Sequence, residues 1–271
     1  MAVLFNPNLR EMFEEVRKRE IISRFSSSIN VYGEENLEKL RGKQFVAFSN
    51  HESHGDYFGY GYWLMDKGFE CPLFTAGRNL NVWPIRWLLP FDKWEVVIWI
   101  DRKKIKHGSR EEKEEEVRYL KNQVSRGLRQ GKNIVDFVEG GRNYEGELKE
   151  AKHGVMRYIL SEMNQEGMKG REIYGINSAL DYDRRIEELA MPLIKKTSDN
   201  GKILRPLYYM ADIGSFVAEF FKKKHPNLRI KFGEPFLLNE YSQMLNGIWM
   251  LKERVEKEIR ELYEGIKFKR N

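Results

Sequence analysis

The chain has 271 residues, 41% of them hydrophobic, enough to bury a substantial core in one large domain or two small ones. Its 47 Lys+Arg against 41 Asp+Glu leave a formal net charge of +6 on a mixed surface, which argues against a dedicated nucleic-acid tail. The balance still favours anionic company such as phosphorylated small molecules, acidic headgroups or nucleic acid, among which charge alone does not choose. A single cysteine, Cys71, excludes an internal disulfide framework and any multi-thiolate zinc site; its neighbours in "FECPLF" suit a buried, inert thiol in a reducing, cytoplasmic setting.

At the N-terminus, Leu9, Met12, Phe13 and Val16 recur at helical spacing, which predicts an amphipathic helix over residues 1–25 that docks on the protein's own core or on a membrane. No run approaches the roughly 18 apolar residues needed to cross a bilayer, and charges enter too early for a signal peptide. The expectation is a soluble protein or one lying on a membrane surface. Short apolar runs follow in "QFVAFSN", "WEVVIWIDR", "NIVDFVEGG", "EIYGINSALDY" and "LRIKFGEPF", separated by helical patterns and turns.

Between the strand-like runs, "SREE" from Ser109 supplies a capping box for a helix carrying Val117, Leu120, Val124 and Leu128 on one face and stopping at Gly131. A second helix is expected over about 149–165, and a C-terminal one over 239–268 through Met244, Ile248, Leu251, Val255, Ile259 and Leu262. The stretches at 80–91 and 191–225 read either as core or as a lipid-facing wall. Alternating strands and helices predict an α/β fold: a single domain over 1–271, with a catalytic core at 40–236 and a mixed, largely parallel sheet flanked by helices. There is no repeat, low-complexity tract or flexible linker.

In "FSNHESHGDYFGY", His51 and Asp56 stand five apart directly after a strand-like run, where α/β folds gather catalytic groups. A histidine oriented by a carboxylate can deprotonate a bound hydroxyl, yet the same spacing also arises in ordinary polar loops. A metal reading would use His51, His54 and Asp56, but H-x-x-H-x-D fits no metal motif and only His107, His153 and His225 remain to complete a ligand set. No G-x-S-x-G occurs, which favours direct attack by a bound alcohol over an acyl-enzyme. Further on, Glu139, Gly140, Gly141 and Arg142 form a turn whose backbone can approach a ligand closely, with a guanidinium fork suited to phosphate. Arg102, after "IWI", is a candidate for the same rim.

Taken together these segments resemble the glycerol-3-phosphate/lysophosphatidate acyltransferase family. "NHESHGDY" is similar to its first motif block, "IWIDR" to the second, "FVEGGRNYEG" to the third and "INSALDYDR" to the fourth, with "IKFGEP" resembling the strand that follows; the matches cover about residues 45–236. The resemblance implies that His51 is the general base and Asp56 its orienting acid. Arg102 and Arg142 would grip the acceptor phosphate, and Ser53, Glu139, Gly140, Gly141, Tyr182 and Arg184 would complete the substrate site. It further implies an acyl-CoA or acyl carrier protein donor, no metal or redox cofactor, and a cytoplasmic enzyme of phospholipid biosynthesis held peripherally on the inner face of a membrane.

Ser53-His54 and Gly140-Gly141 are closer to the glycerol-3-phosphate and dihydroxyacetone-phosphate branch than to the lysophosphatidate branch, whose 1-acylglycerol-3-phosphate acceptor is the alternative. Asn143 departs from the usual serine, and the fourth block lacks its customary proline. Rival classes are a metal-dependent hydrolase and a noncatalytic lipid-binding protein. Nucleic acid is not an expected partner, because the basic residues are interleaved with acids and no aromatic single-strand platform occurs.

Overall fold

The computed structural model describes residues 28–78, 97–143, 147–184, 214 and 226–268. The expected helix at 1–25, the stretch at 80–91 and all but Gly214 of 191–225 lie outside the described residues. The strands are β1 (Ser28–Tyr32), β2 (Gln44–Ser49), β3 (Leu73–Gly77), β4 (Val97–Ile100), β5 (Ile134–Phe137), β6 (Ile173–Tyr182), β7 (Asn227–Phe232) and β8 (Phe236–Leu237). The helices are α1 (Glu34–Glu38), α2 (Asp56–Asp66), α3 (Arg102–His107), α4 (Arg110–Arg129), α5 (Gly154–Met163), α6 (Leu238–Gln243) and α7 (Gly247–Glu264).

All eight strands build one sheet in the order β1-β7-β6-β2-β5-β3-β4, with β8 beside β6. Pairing is parallel except for β6 with β7 and β6 with β8, so the expected single α/β domain with a mixed, largely parallel sheet is what forms. Its central strands β2, β5 and β6 are buried along nearly their whole length because both faces are covered. Along β2, Phe45 and Ala47 enter a cluster with α1 and α2, while Val46 and Phe48 enter another with α4, α5 and α7. Full burial of a side chain the size of Phe45, Val46 or Phe48 contributes about 1.5–3 kcal/mol of transfer free energy.

Helix α4 carries the expected capping box at Ser109 with Glu112. Its buried stripe differs from the expected one: Leu120, Val124 and Leu128 are buried, but Val117 is 42% exposed and Glu116 takes the inward position. The reason is local, since the Glu116 carboxylate accepts the backbone N–H of Asp101 at 2.8 Å and so ties α4 to the end of β4. The expected C-terminal helix over 239–268 is divided into α6 and α7, and Met244 falls in the exposed break. A side chain at Gly247 would meet the carbonyl of Tyr241, so the sharp turn there requires glycine. Helix α5 starts later than expected, because residues before it fold back on the β5 loop, with Lys152 donating its N–H to Val138.

Past the antiparallel end of β6 and β7, Asp183 and Asn227 bond each other twice through backbone, Asp183 N–H to Asn227 C=O and Asn227 N–H to the Asp183 carboxylate, with a further side-chain contact. That clasp closes the strand pair at the same edge of the sheet on which the site is built.

Candidate active site

The parallel strands β2, β4 and β5 end at one edge, and β6 is parallel to β2, so the segments after all four meet there, the position at which open α/β sheets bind ligands. After β2 the chain turns through Asn50–Gly55 into α2, whose first residue is Asp56. One oxygen of Asp56, Oδ2, accepts three hydrogen bonds: from the Glu52 N–H at 2.8 Å, the Ser53 N–H at 3.1 Å and His51 Nδ1 at 2.7 Å. A carboxylate in the first turn also suits the helix N-terminus. The proton on Nδ1 is assigned from this geometry, which makes Nε2 the basic nitrogen.

The ring of His51 is clamped as well as bonded. It stacks on Phe137 with centroids 4.5 Å apart and meets the edge of Tyr57 at 5.4 Å. Both histidine and aspartate are buried, so the pair is shielded from bulk water, and Asp56, Phe137 and Tyr57 together fix the ring. Ser53 shapes the turn, its hydroxyl accepting the N–H of Gly55 at 3.1 Å.

From the neighbouring strand, the Val138 N–H to Ser49 C=O bond of 3.0 Å carries the β2–β5 ladder up to the site. Gly140 then turns with φ of 64°, a left-handed conformation suited to glycine. A Cβ at Gly141 would stand 3.4 Å from a terminal nitrogen of Arg102, so the guanidinium passes directly over this glycine backbone. Arg142 is buried, and its carbonyl accepts from Lys149 Nζ at 2.7 Å. The fields of Arg102 and Arg142 both act on Tyr57, whose phenol is nevertheless raised above its usual range, chiefly by burial.

Glu139 accepts the Lys149 N–H at 3.2 Å, and its carboxyl is pushed up to about 8 by desolvation first and by the charge of Glu52 next. One strand residue below the turn, buried Asp136 accepts from the Thr75 hydroxyl at 2.8 Å and is raised to about 6, again mainly by burial. Half-buried Cys71 packs against the edge of the core, and desolvation lifts its thiol to about 12.

The structure thus gathers His51, Ser53, Asp56, Arg102, Glu139, Gly140, Gly141 and Arg142 at one end of the sheet. Tyr182 is placed differently: it ends β6 inside the aromatic core, its hydroxyl 3.9 Å from where a Cβ of Gly59 would stand on α2. Arg184 follows in the bend beyond, half-buried. Sequence reasoning did not pick out Asn50, Glu52, Tyr57, Phe137 and Lys149, which hold the site together; the Asn-His-Glu order before Asp56 and the departure at Asn143 were the available signals. Among the described residues, no three His, Cys, Asp or Glu side chains are grouped as a metal ion would need.

The model of the family described as acyltransferase matches residues 28–171. The chain is similar to a glycerol-3-phosphate acyltransferase of Haemophilus influenzae (strain PittEE), 26% identical over 244 residues, which cover 88% of this chain and 28% of that protein. It is similar also to one of Glaesserella parasuis serovar 5 (strain SH0165), 27% identical over 226 residues, covering 82% of this chain and 25% of that one. The chain therefore spans about a quarter of these relatives' length. Its fold is similar to the crystal structure of the 1-acyl-sn-glycerophosphate (LPA) acyltransferase PlsC from Thermotoga maritima, with a TM-score of 0.50 at 16% identity over 96% of this chain and 80% of that one. With a family match over more than half its residues, the chain belongs to the acyltransferase family.

Proposed function

We propose that the protein is an O-acyltransferase that moves a fatty acyl group from acyl-CoA or acyl carrier protein to a hydroxyl of glycerol 3-phosphate, with dihydroxyacetone phosphate as the related acceptor. The observation that carries this reading is the buried 2.7 Å contact between His51 Nδ1 and Asp56, set beside two arginines. Nε2 of His51 takes the proton of the acceptor hydroxyl as its oxygen attacks the thioester carbonyl. The C–O bond forms, the C–S bond breaks, and the departing thiolate receives the proton back from the imidazolium. Asp56 holds the ring in the required tautomer and stabilises its charged form. No electron changes hands in this step, so its chemistry calls for no redox cofactor.

Arg102 and Arg142 hold the acceptor phosphate, whose double charge they offset. Glu139, neutral near pH 7 by virtue of its raised titration, offers a hydrogen bond to the bound polyol. An amphiphilic product supports a peripheral position for the enzyme, proposed to be on the cytoplasmic face of a membrane. No helix among the described residues is long and apolar enough to cross one. Fully exposed Leu245, with exposed Met244, Trp249 and Met250, supports contact with a lipid surface.

The test is thiol release from a long-chain acyl-CoA by purified protein, with glycerol 3-phosphate, dihydroxyacetone phosphate or lysophosphatidate as acceptor, beside His51→Ala and with chelator present. Acceptor-dependent release that survives chelator and is lost in the variant is expected. Silence with both acyl-CoA and acyl carrier protein donors would sink the reading.

A further inference from the structure

Two side chains outside the acid–base pair and the arginines link the loops that carry them. The loops after β2 and β5 leave the sheet side by side, Ser49 being in register with Phe137. Glu52 is fully buried between them. Its backbone N–H is one of the three bonds on Asp56, while its side-chain Oε1 accepts from Asn143 Nδ2 at 3.4 Å and from Asn50 Nδ2 at 3.2 Å. Asn50 in turn pairs with both backbone groups of Leu180, at 2.9 and 2.7 Å, which anchors the arrangement in β6. Asn143, the residue directly after Arg142, donates its own N–H to the carbonyl of His51 at 2.6 Å.

Two bonds of this set, Asn143 Nδ2 to Glu52 and Asn143 N–H to His51 C=O, cross between the two loops, while the others brace the β2 loop internally or fix it to β6. A buried carboxylate carries a large desolvation cost that good hydrogen bonds offset only when their geometry is kept, so Glu52 holds both loops to one spacing. We infer that Glu52 and Asn143 are positioning residues that couple the Arg142 loop to the His51–Asp56 pair, so that the base is aligned only when the phosphate-binding loop is in place.

This inference rests on the acyltransferase reading for its kinetic arm, and its structural arm is independent of activity. In the kinetic arm Glu52→Ala, Asn143→Ala, the double variant and Glu52→Gln are compared with wild type, each at a temperature where its melting curve shows it folded. Misplacing a base by a fraction of an ångström to an ångström costs on the order of 10- to 100-fold in rate. The expected result is such a fall in kcat for both alanine variants with the KM for the acyl donor unchanged. The double variant should be no worse than the poorer single, and Glu52→Gln, whose amide oxygen still accepts from both asparagines, should keep at least a third of the wild-type rate. Additive losses, or a Gln variant as poor as Ala, would overturn the coupling, because charge or independent packing would then explain the effect.

In the structural arm the His51 Nδ1 proton is followed by NMR in protein labelled at histidine. Its low-field resonance should move or broaden in Asn143→Ala, which removes the side-chain bond to Glu52. An unmoved resonance would overturn the inference whatever the kinetics show; a moved one with no acyl transfer in wild type would leave the coupling standing and remove the acyltransferase reading instead.

Discussion

Past Ser49 and past Leu180 the chain runs along neighbouring strands, yet burial is used there in opposite ways. The β2 loop buries polar groups and ties them down: Asp56 gathers three donors, Asn50 bridges to Leu180, and Glu52 is bonded from two sides. The end of β6 buries Tyr182 in an apolar cluster with Tyr57, Phe58, Tyr60 and Leu228. Hydrogen bonds are directional and costly to leave unmade, whereas apolar contact tolerates small changes of shape. Angular precision is concentrated on the β2 and β5 side, and the β6 side supplies the rigid mass against which α2 is set.

The largest effect that would sharpen this contrast is expected from Asp56→Asn. An amide at Oδ2's place donates where His51 Nδ1 must donate, forcing the wrong tautomer, and kcat should fall by about 10³- to 10⁴-fold; a loss below tenfold would mean that the polar bonds of the β2 loop do not set the base. Next comes Asp136→Asn, read by thermal melting from pH 4 to 8. Burial holds the Asp136 carboxyl at about 6 against a usual 3.8, so the folded state favours the protonated form. Stability is therefore lost as pH rises from about 4 through 6, and the asparagine variant should be more stable by up to about 3 kcal/mol above pH 6 and equal near pH 4. A variant that gains nothing at pH 8 would show that Asp136 is solvated.

Arg142→Ala should raise the KM for a phosphorylated acceptor by about 10- to 100-fold, the worth of a charge-assisted bond of about 1.5–3 kcal/mol, with the donor's KM unchanged. If the KM for acyl-CoA rises instead, Arg142 serves the phosphates of the donor. The smallest change is expected of Tyr182→Phe, which should leave acceptor KM within about twofold, since the ring and its packing remain. A tenfold rise would bring the hydroxyl into the acceptor site and erase the difference between the two strand ends.

Much of this was legible in the chain because it rests on short-range patterns. The runs at 44–49, 97–100, 134–137, 173–182 and 227–232 are apolar enough to declare themselves strands, and the capping box at Ser109 fixes the start of α4 by a local bond. His51, Asp56 and the turn from Glu139 to Arg142 were visible because glycine and charge directly after a strand have few structural uses. Periodicity misplaced Val117 and carried the C-terminal helix across its break, since it does not report that Glu116 answers a backbone N–H on another element or that Gly247 abuts Tyr241. Strands β1 and β3 were passed over because five residues of mixed character carry little signal. The asparagine and glutamate contacts were hidden for a different reason: a polar residue in a loop looks alike whether it faces water or joins two loops ninety residues apart.

The bonds between Asp183 and Asn227 fix the chain at two points within hydrogen-bond reach of each other, so a local contact holds the end of the β6–β7 register. Because loop-closure entropy grows only with the logarithm of length, a strand pair closed in this way depends only weakly, in stability, on how many residues stand between its two clasped ends. A change in the number of residues between Asp183 and Asn227 should therefore leave the melting of the sheet nearly unchanged, whereas Asp183→Ala, which removes the clasp itself, should lower it.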